Sequence, residues 1–151
     1  MHPTAERFQG QLRGLGLDVE VHELADSTRT AQDAAAAVGA ELGQIVKSLV
    51  FVDDDGPVLC LCAGDRRVDL AKLGDGARQA RGEEVRDATG YAIGGVPPVG
   101  HDSPVRTVVD DSLRRFQTLW CAAGTPHAVF PVETEALLAA LPAGAQVRSV
   151  T

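Results

Sequence analysis

The sequence has few aromatic residues and no long apolar run. Phe, Trp and Tyr together make up 4% of its 151 residues. No stretch approaches the ~20 consecutive apolar residues that a membrane-spanning helix needs. The first residues, MHPTAERFQGQLRG, are charged and contain no apolar segment of the kind that signal peptides carry. We therefore expect a cytoplasmic protein with no membrane partner.

Cysteine is also scarce. Cys60, Cys62 and Cys121 show no CxxC spacing, and the four histidines are scattered, so the sequence predicts no metal site and no cofactor. Cys60 and Cys62 lie two residues apart in an apolar run and would share one face of a strand. We interpret them as small buried side chains in a reducing compartment. A thiol-based redox protein is the weaker alternative, because no cation or helix start stands beside them in the sequence to lower a thiol pKa.

The sequence also lacks the motifs of several large enzyme classes. We find no GxSxG elbow, no Walker phosphate loop, no GxGxxG and no HExxH. The net charge of −7 argues against a general nucleic-acid binder, because phosphate contacts normally require a basic excess. If the substrate is a nucleic acid, we expect the protein to bind a small end of it.

What is present is a regular alternation of strand and helix patterns. With 44% hydrophobic residues, the chain is expected to form one domain over residues 1–151. The patterns predict helices at 4–14, 30–39, 69–76, 82–90 and 134–141. They predict strands at 17–24, 45–53, 57–63, 105–111, 118–124, 127–132 and 146–150. We expect Thr4 to cap the first helix, and Thr30 with Asp33 to form a capping box for the second.

The order of these elements mixes a hairpin with helical crossovers. Residues 45–53 and 57–63 flank an Asp/Gly turn and predict an antiparallel hairpin. Residues 90–104 hold too many glycines and prolines for a helix or a central strand. We predict an α/β protein with a twisted mixed β-sheet and helices packed around it.

Lys47 interrupts the apolar stretch LGQIVKSLVFV, residues 42–52. Both faces of the predicted strand are mainly apolar, so neither is an obvious solvent face. Lys47 either extends to water near the strand end, or places an ammonium in a cleft where it attracts an anionic or carbonyl oxygen. The chain has twelve arginines and only two lysines, Lys47 and Lys72, which favours the second interpretation. Ser48 would point to the opposite face, so we exclude a Ser-Lys nucleophile pair.

Three other segments hold candidate functional residues. The sequence GGVPP, residues 94–98, can present backbone N–H groups at close range, or it can be an ordinary surface loop. His127 follows a Gly-x-Pro turn and is either a base or a structural side chain. Asp65 follows the second hairpin strand and either orders the site or pairs with Arg66.

Six segments in order resemble the YbaK/prolyl-tRNA-editing family of aminoacyl-tRNA deacylases. They are TAQDAAAAVG (30–39), GQIVKSLVF (43–51), AGDRRVDLAKL (63–73), TGYAIGGVPPVGH (89–101), VVDDSL (108–113) and AAGTPHAVFPV (122–132). The resemblance covers the chain from about residue 20 to its end. It implies a twisted, barrel-like mixed sheet with flanking helices, like the domain associated with prolyl-tRNA synthetase.

The same resemblance implies a function and a set of site residues. The activity would be hydrolysis of the ester between a wrong small amino acid and tRNA, in trans, without metal or protein nucleophile. Lys47 matches the functional lysine of the family, and the Gly94–Pro98 segment matches the loop that holds the aminoacyl group through its backbone. The candidate substrate-binding residues are Thr30, Asp65, Gly94, Gly95, Val96, Pro97, Pro98, Gly124 and His127.

The chain departs from the cysteine-specific members of the family at one position. Those members usually carry serine before the last proline of the loop, where this chain has Pro97. The departure disfavours cysteine and leaves alanine, serine and threonine open. The expected partners are the aminoacylated 3′ end of tRNA and an aminoacyl-tRNA synthetase. The alternative is a non-catalytic module that binds an aminoacyl group or a synthetase.

Overall fold

The computed structural model describes residues 1–151 and contains five α-helices and eight strands. The helices are α1 (Pro3–Gly14), α2 (Ala31–Val38), α3 (Leu70–Leu73), α4 (Gly82–Thr89) and α5 (Thr134–Ala140). The strands are β1 (His22–Glu23), β2 (Val46–Asp53), β3 (Gly56–Ala63), β4 (Arg78–Gln79), β5 (Thr107–Asp110), β6 (Thr118–Ala122), β7 (Ala128–Glu133) and β8 (Gln146–Arg148). None of the helices has the length and apolar character needed to cross a membrane.

The larger sheet has five strands in the order β4-β2-β3-β5-β8. Strands β2 and β3 form the predicted hairpin, with Asp53 opposite Gly56 across a two-residue turn. Strand β3 pairs with β5 in parallel, and β5 pairs in parallel with β8. On the other side, β4 pairs with only two residues of β2, Phe51 and Val52. The hairpin therefore occupies the second and third positions of a mixed sheet, and the α/β class is confirmed.

The smaller sheet has three antiparallel strands in the order β1-β7-β6. It meets the larger sheet at one parallel bridge between Ile45 and Trp120. The expectation of one barrel-like sheet is therefore wrong in this detail, because β6 and β7 pair with each other and not along the length of β2. The two sheets stay open, and a cavity lies beside their junction.

The hairpin is buried on both faces, as its apolar pattern predicts. One face contributes Val46, Val50 and Leu61 to the main core, which also contains Phe8 from α1. The other face forms a smaller cluster with α3, β5 and the last residues of the chain; its buried members are Phe51, Val58, Cys60, Leu73, Val108 and Val150. Lys47 belongs to this second face, since it pairs across the hairpin with Cys62.

Helix α2 begins and ends at the residues that the sequence indicates. The Asp33 N–H donates to Thr30 Oγ1 at 3.0 Å, and the Thr30 N–H donates to Asp33 Oδ2 at 3.2 Å, so the capping box is confirmed. Gly39 ends the helix with a φ of 71°, a conformation that favours glycine. The capping box fixes the start of the helix, where Thr30 and Ala31 face the cavity described below.

Two predictions at the N-terminal end are wrong. Residues 17–24 form a strand only at His22–Glu23, because Gln9 of α1 bonds to the backbone of the preceding segment. Its Nε2 donates to the Val19 carbonyl at 2.6 Å, and its Oε1 accepts from the Val21 N–H at 2.7 Å. Helix α1 is capped by His2, whose Nδ1 accepts from the Thr4 N–H at 3.1 Å, so Thr4 lies inside the helix.

Candidate functional site

A cavity of about 590 Å³ lies where β2 approaches the smaller sheet. Its walls come from the start of α2, from β2, from residues 93–96 and from β6 and β7. Most of the lining side chains are apolar. Five of the predicted site residues line it: Thr30, Lys47, Gly94, Val96 and His127. The volume falls within the range of ~300–1,000 Å³ that is usual for small-molecule sites.

Lys47 is the lysine among the residues that line this cavity. Its side chain is half-buried, and its Nζ donates a hydrogen bond to the Arg66 carbonyl oxygen at 2.5 Å. Lys47 takes part in none of the ion pairs of the chain. A backbone carbonyl orients the ammonium without cancelling its charge, so Lys47 can still attract a ligand oxygen.

The glycine and proline segment packs against the turn that precedes β7. Gly95 is buried, and a β-carbon built on it would lie 2.8 Å from the Gly124 carbonyl oxygen and 2.8 Å from the Thr125 Cα. Only glycine permits this close approach of two backbones. Gly94, with a φ of 88°, is exposed beside the ring of Pro126. The contact between the two segments places Gly94 and His127 on the same cavity.

His101 contacts the glycine and proline segment at Pro97, and it was not among the residues predicted from the sequence. Its Nε2 lies 2.7 Å from the Pro97 carbonyl oxygen, and its ring meets the Tyr91 ring edge to face at 6.4 Å. Burial lowers the pKa of His101, although the bond to Pro97 opposes this. His101 ends the segment TGYAIGGVPPVGH, and this nearness to the GGVPP loop is the one feature of the sequence that points to it.

Two buried polar atoms on the cavity lack any hydrogen-bond partner. They are Ser48 Oγ and His127 Nδ1. His127 also lines a second, more polar cavity of about 620 Å³, together with Gly124, Arg7 and Arg86. Buried polar atoms are normally paired, so these two atoms are exceptions that call for an explanation.

The remaining predicted residues lie outside the first cavity. Gly95, Pro97 and Pro98 are buried within the loop. Asp65 does not pair with Arg66, as one interpretation held; it forms a two-point ion pair with Arg115 at 2.8 and 3.0 Å. The Arg115 guanidinium holds the pKa of the Asp65 carboxyl below its usual value. Arg115 lies fifty residues further along the chain, so sequence proximity favoured the wrong partner.

The three cysteines are buried and free. Burial raises the pKa of the Cys60 thiol to about 12. Burial also raises the pKa of Cys62, although Lys47 lies opposite it and acts in the other direction. The sequence-based argument that no cation stands beside these thiols is therefore wrong for Cys62. Burial nevertheless dominates, and a thiolate is disfavoured at both positions.

Comparison with known proteins identifies the family of this chain. The sequence model of the family described as the aminoacyl-tRNA editing domain matches residues 25–140. The chain belongs to the aminoacyl-tRNA editing domain family. The matched residues include β2 with Lys47, the GGVPP loop and the turn before His127. The segments that line the cavity therefore lie within the matched region.

Individual relatives of this editing domain include free-standing proteins and parts of larger enzymes. The protein YwhH of Bacillus subtilis (strain 168), described as uncharacterized, is 35% identical over 123 residues, which cover 78% of each chain. The proline–tRNA ligase of Thermosipho africanus is 39% identical over 93 residues, covering 58% of this chain and 16% of the ligase. A crystal structure described as a candidate trans-editing enzyme for prolyl tRNA synthetase is 49% identical, with a TM-score of 0.93 over 100% of this chain and 98% of the other.

Proposed function

We propose that this editing domain hydrolyses, in trans, the ester that joins a wrongly attached small amino acid to the 3′ end of a tRNA. One observation carries the proposal: Lys47, Gly94 and His127 come from three separate sequence segments and line the same cavity. We assign alanine, serine or threonine as the amino acid. Cysteine is disfavoured because Pro97 stands where the cysteine-specific relatives usually carry serine.

Lys47 would act on the oxygens of the reacting end. Water attacks the ester carbonyl carbon, the bond from that carbon to the ribose oxygen breaks, and the ribose oxygen takes up a proton. Negative charge develops on the carbonyl oxygen during the attack, and an ammonium without a carboxylate partner stabilises it. Holding the carbonyl or the nearby oxygens of the terminal nucleotide would also orient the ester.

The loop at Gly94 would hold the aminoacyl group. Gly94 reaches the cavity without a side chain, and Gly95 fixes the loop against the turn at Gly124. A buried apolar wall beside the loop suits a small side chain and excludes a large one by its volume. Discrimination between amino acids that differ by one methylene would remain limited, at ~1–3 kcal/mol.

We propose that hydroxyl groups of the substrate activate or position the attacking water, and that no metal ion takes part. The chain has no group of three or more His, Cys, Asp or Glu side chains placed to hold a metal ion. An aminoacyl ester is already an activated acyl group, so positioning and stabilisation of the oxyanion supply most of what hydrolysis requires. The net charge of −7 disfavours broad contact with tRNA phosphates, so we assign the contact to the aminoacylated end.

A second candidate is a module without catalytic activity that binds an aminoacyl group or a synthetase. The acidic net charge favours it, because a catalyst acting on free tRNA gains from a basic surface. Under this alternative, the same cavity would bind an aminoacyl group without releasing it.

A deacylation screen separates the two candidates. Purified protein is incubated with tRNA specific for proline, charged in turn with alanine, serine, threonine, cysteine or proline, and the remaining ester is followed over time. We expect faster loss of at least one small non-cognate amino acid than of proline. Loss of every ester at the spontaneous rate contradicts the deacylase and leaves the binding module.

A further inference from the structure

Ser48 lines the cavity and carries an unpaired hydroxyl. Its Oγ is buried and has no hydrogen-bond partner, and Ser48 is one of the lining residues. A buried hydroxyl without a partner loses its bonds to water and gains nothing in return. Its position in the middle of β2 is thus unfavourable for the free protein unless a ligand supplies the missing bond.

The backbone of Ser48 is also unpaired on the cavity side of β2. Asp53 and Gly56 flank a two-residue turn and therefore form a hydrogen-bonded pair of the hairpin. Such pairs alternate with non-hydrogen-bonded pairs, so every second residue from Val52 back to Val46, Ser48 included, directs its N–H and C=O groups away from β3. The Val50 carbonyl confirms this pattern, since it accepts from the Ala80 N–H at 3.1 Å. Strand β4 stops there, and no strand pairs with Ser48 on that edge.

Three acceptor atoms without a partner therefore belong to two residues that line one cavity. They are the Ser48 hydroxyl oxygen, the Ser48 carbonyl oxygen at the unpaired strand edge, and His127 Nδ1 when its proton is on Nε2; the two side-chain atoms are covered in the free protein and need a side-chain rotation to meet a ligand. An ammonium group carries three donors and no acceptor, so it matches such a set. In an aminoacyl ester, the α-ammonium is the group with this chemistry.

We propose that Ser48, assisted by His127, binds the α-ammonium of the aminoacyl group. The proposal rests on the proposed function and names how its substrate is held. The side chains of Lys47 and Ser48 leave adjacent residues of one strand on opposite faces. The Lys47 ammonium, which attracts the ester oxygens, is thereby kept apart from the α-ammonium of the substrate.

Binding of non-hydrolysable analogues tests the assignment without requiring catalysis. The two probes are 3′-alanylamino-3′-deoxyadenosine, which has a free amine, and its N-acetylated form. Calorimetry measures both with the wild type, Ser48→Ala and Ser48→Thr. We expect the wild type to bind the free amine about tenfold to a hundredfold more tightly than the acetylated form. Ser48→Ala should lose that preference, and Ser48→Thr should keep it within about threefold because the hydroxyl is retained.

Thermal unfolding of Ser48→Ala excludes a merely structural effect. The variant loses an unpaired buried hydroxyl, so we expect it to unfold at the same or a higher temperature than the wild type. Failure of the wild type to bind the free amine, equal binding of both probes by the wild type, or equal weakening of both in Ser48→Ala overturns the proposal. The proposed function fails on different evidence, namely the absence of deacylation in the screen of charged tRNAs.

Discussion

Gly95 and Gly124 bring two distant loops into backbone contact. A β-carbon on Gly95 would lie 2.8 Å from the Gly124 carbonyl oxygen, and no flexible side chain is available there to move aside. The contact joins the segment that carries Gly94 to the turn that carries His127. The relative position of these two cavity residues therefore depends on the absence of one methyl group.

Gly95→Ala tests this dependence. We expect the added methyl group to destabilise the protein by about 1–3 kcal/mol, because two backbones must separate. Displacement of Gly94 and His127 should also lower the deacylation rate by about tenfold to a hundredfold. Urea unfolding and single-turnover deacylation measure the two effects.

Gly10→Ala is the matched control. Gly10 lies in the middle of α1 and is exposed, and nothing lies within 4 Å of an added β-carbon. This substitution should stabilise the protein by about 0.5–1 kcal/mol and leave the rate unchanged. Equal stability and equal rates for Gly95→Ala and wild type would show that the two loops are not coupled.

Lys47→Ala tests the role of the ammonium. We expect deacylation to fall by about 10²–10³, because the oxyanion loses its preorganised donor. Lys47→Arg should recover little of this loss, since a planar guanidinium does not fit where an ammonium did. Circular dichroism should show the wild-type fold in both variants, because Lys47 has no buried charged partner to leave unpaired.

The only other lysine of the chain supplies the control. Lys72 is exposed on α3, and its Nζ donates to the Thr151 carbonyl at 2.7 Å, so it too bonds to a backbone oxygen. Lys72→Ala should deacylate at the wild-type rate. A wild-type rate for Lys47→Ala would instead make Lys47 a strand lysine that extends to water.

The pattern of apolar and polar residues predicted the local elements well. The hairpin and α2 depend on neighbours in sequence, such as the Asp/Gly turn and the Thr30–Asp33 pair, and both formed as expected. The strand predicted at 17–24 failed because Gln9, from a different element, takes up the backbone hydrogen bonds. No local pattern contains that information.

The candidate site shows the same division. Lys47 and the GGVPP loop could be proposed from their residue types, because a lone lysine in an apolar strand and a Gly/Pro cluster are unusual locally. The partner of Asp65 could not, since Arg115 meets it only after the chain has folded. The unpaired edge at Ser48 also depends on where β4 ends, and two residues of strand leave no recognisable pattern.

Asp110 predicts how stability depends on pH. This carboxylate is fully buried and accepts hydrogen bonds from the Val150 N–H at 2.9 Å, from Thr151 Oγ1 at 3.2 Å and from Ser112. Burial alone would raise the pKa of Asp110, but these hydrogen bonds outweigh it and hold the pKa below the usual value. The stabilisation is therefore complete above about pH 4 and is lost as the pH falls through the folded-state pKa.

Asp110→Asn should accordingly lower the free energy of unfolding at neutral pH by about 1–3 kcal/mol, and the difference from wild type should shrink in acid. Urea unfolding at several pH values measures this. Asp111→Asn removes the same charge one residue later, at an exposed position, and should change stability by less than about 0.5 kcal/mol. A constant difference between Asp110→Asn and wild type at all pH values would contradict the titration of Asp110.

The buried cysteines predict slow chemical modification. With the pKa of Cys60 at about 12, roughly one thiol in ten thousand is ionised at about pH 8, and the thiolate is the reactive form. We expect iodoacetamide to leave Cys60 and Cys62 unmodified in the folded protein and to modify them in guanidinium. Mass spectrometry of the native and denatured samples measures both. Rapid modification of either residue in the native state would contradict this prediction and support the thiol-based redox protein as the alternative.

The short length of β4 has a consequence for self-association. Between the bridge at Ile45 and the bond at Val50, no strand pairs with this edge of β2 over four residues, roughly 13 Å at the usual rise of a strand, and alternate residues there direct their backbone groups outward. Exposed strand edges invite a second chain to add a strand and start aggregation. This edge lines the cavity whose other walls include the start of α2 and residues 93–96. Because the surrounding walls recess this edge, we expect it to meet a small ligand more readily than a strand of another copy of the chain.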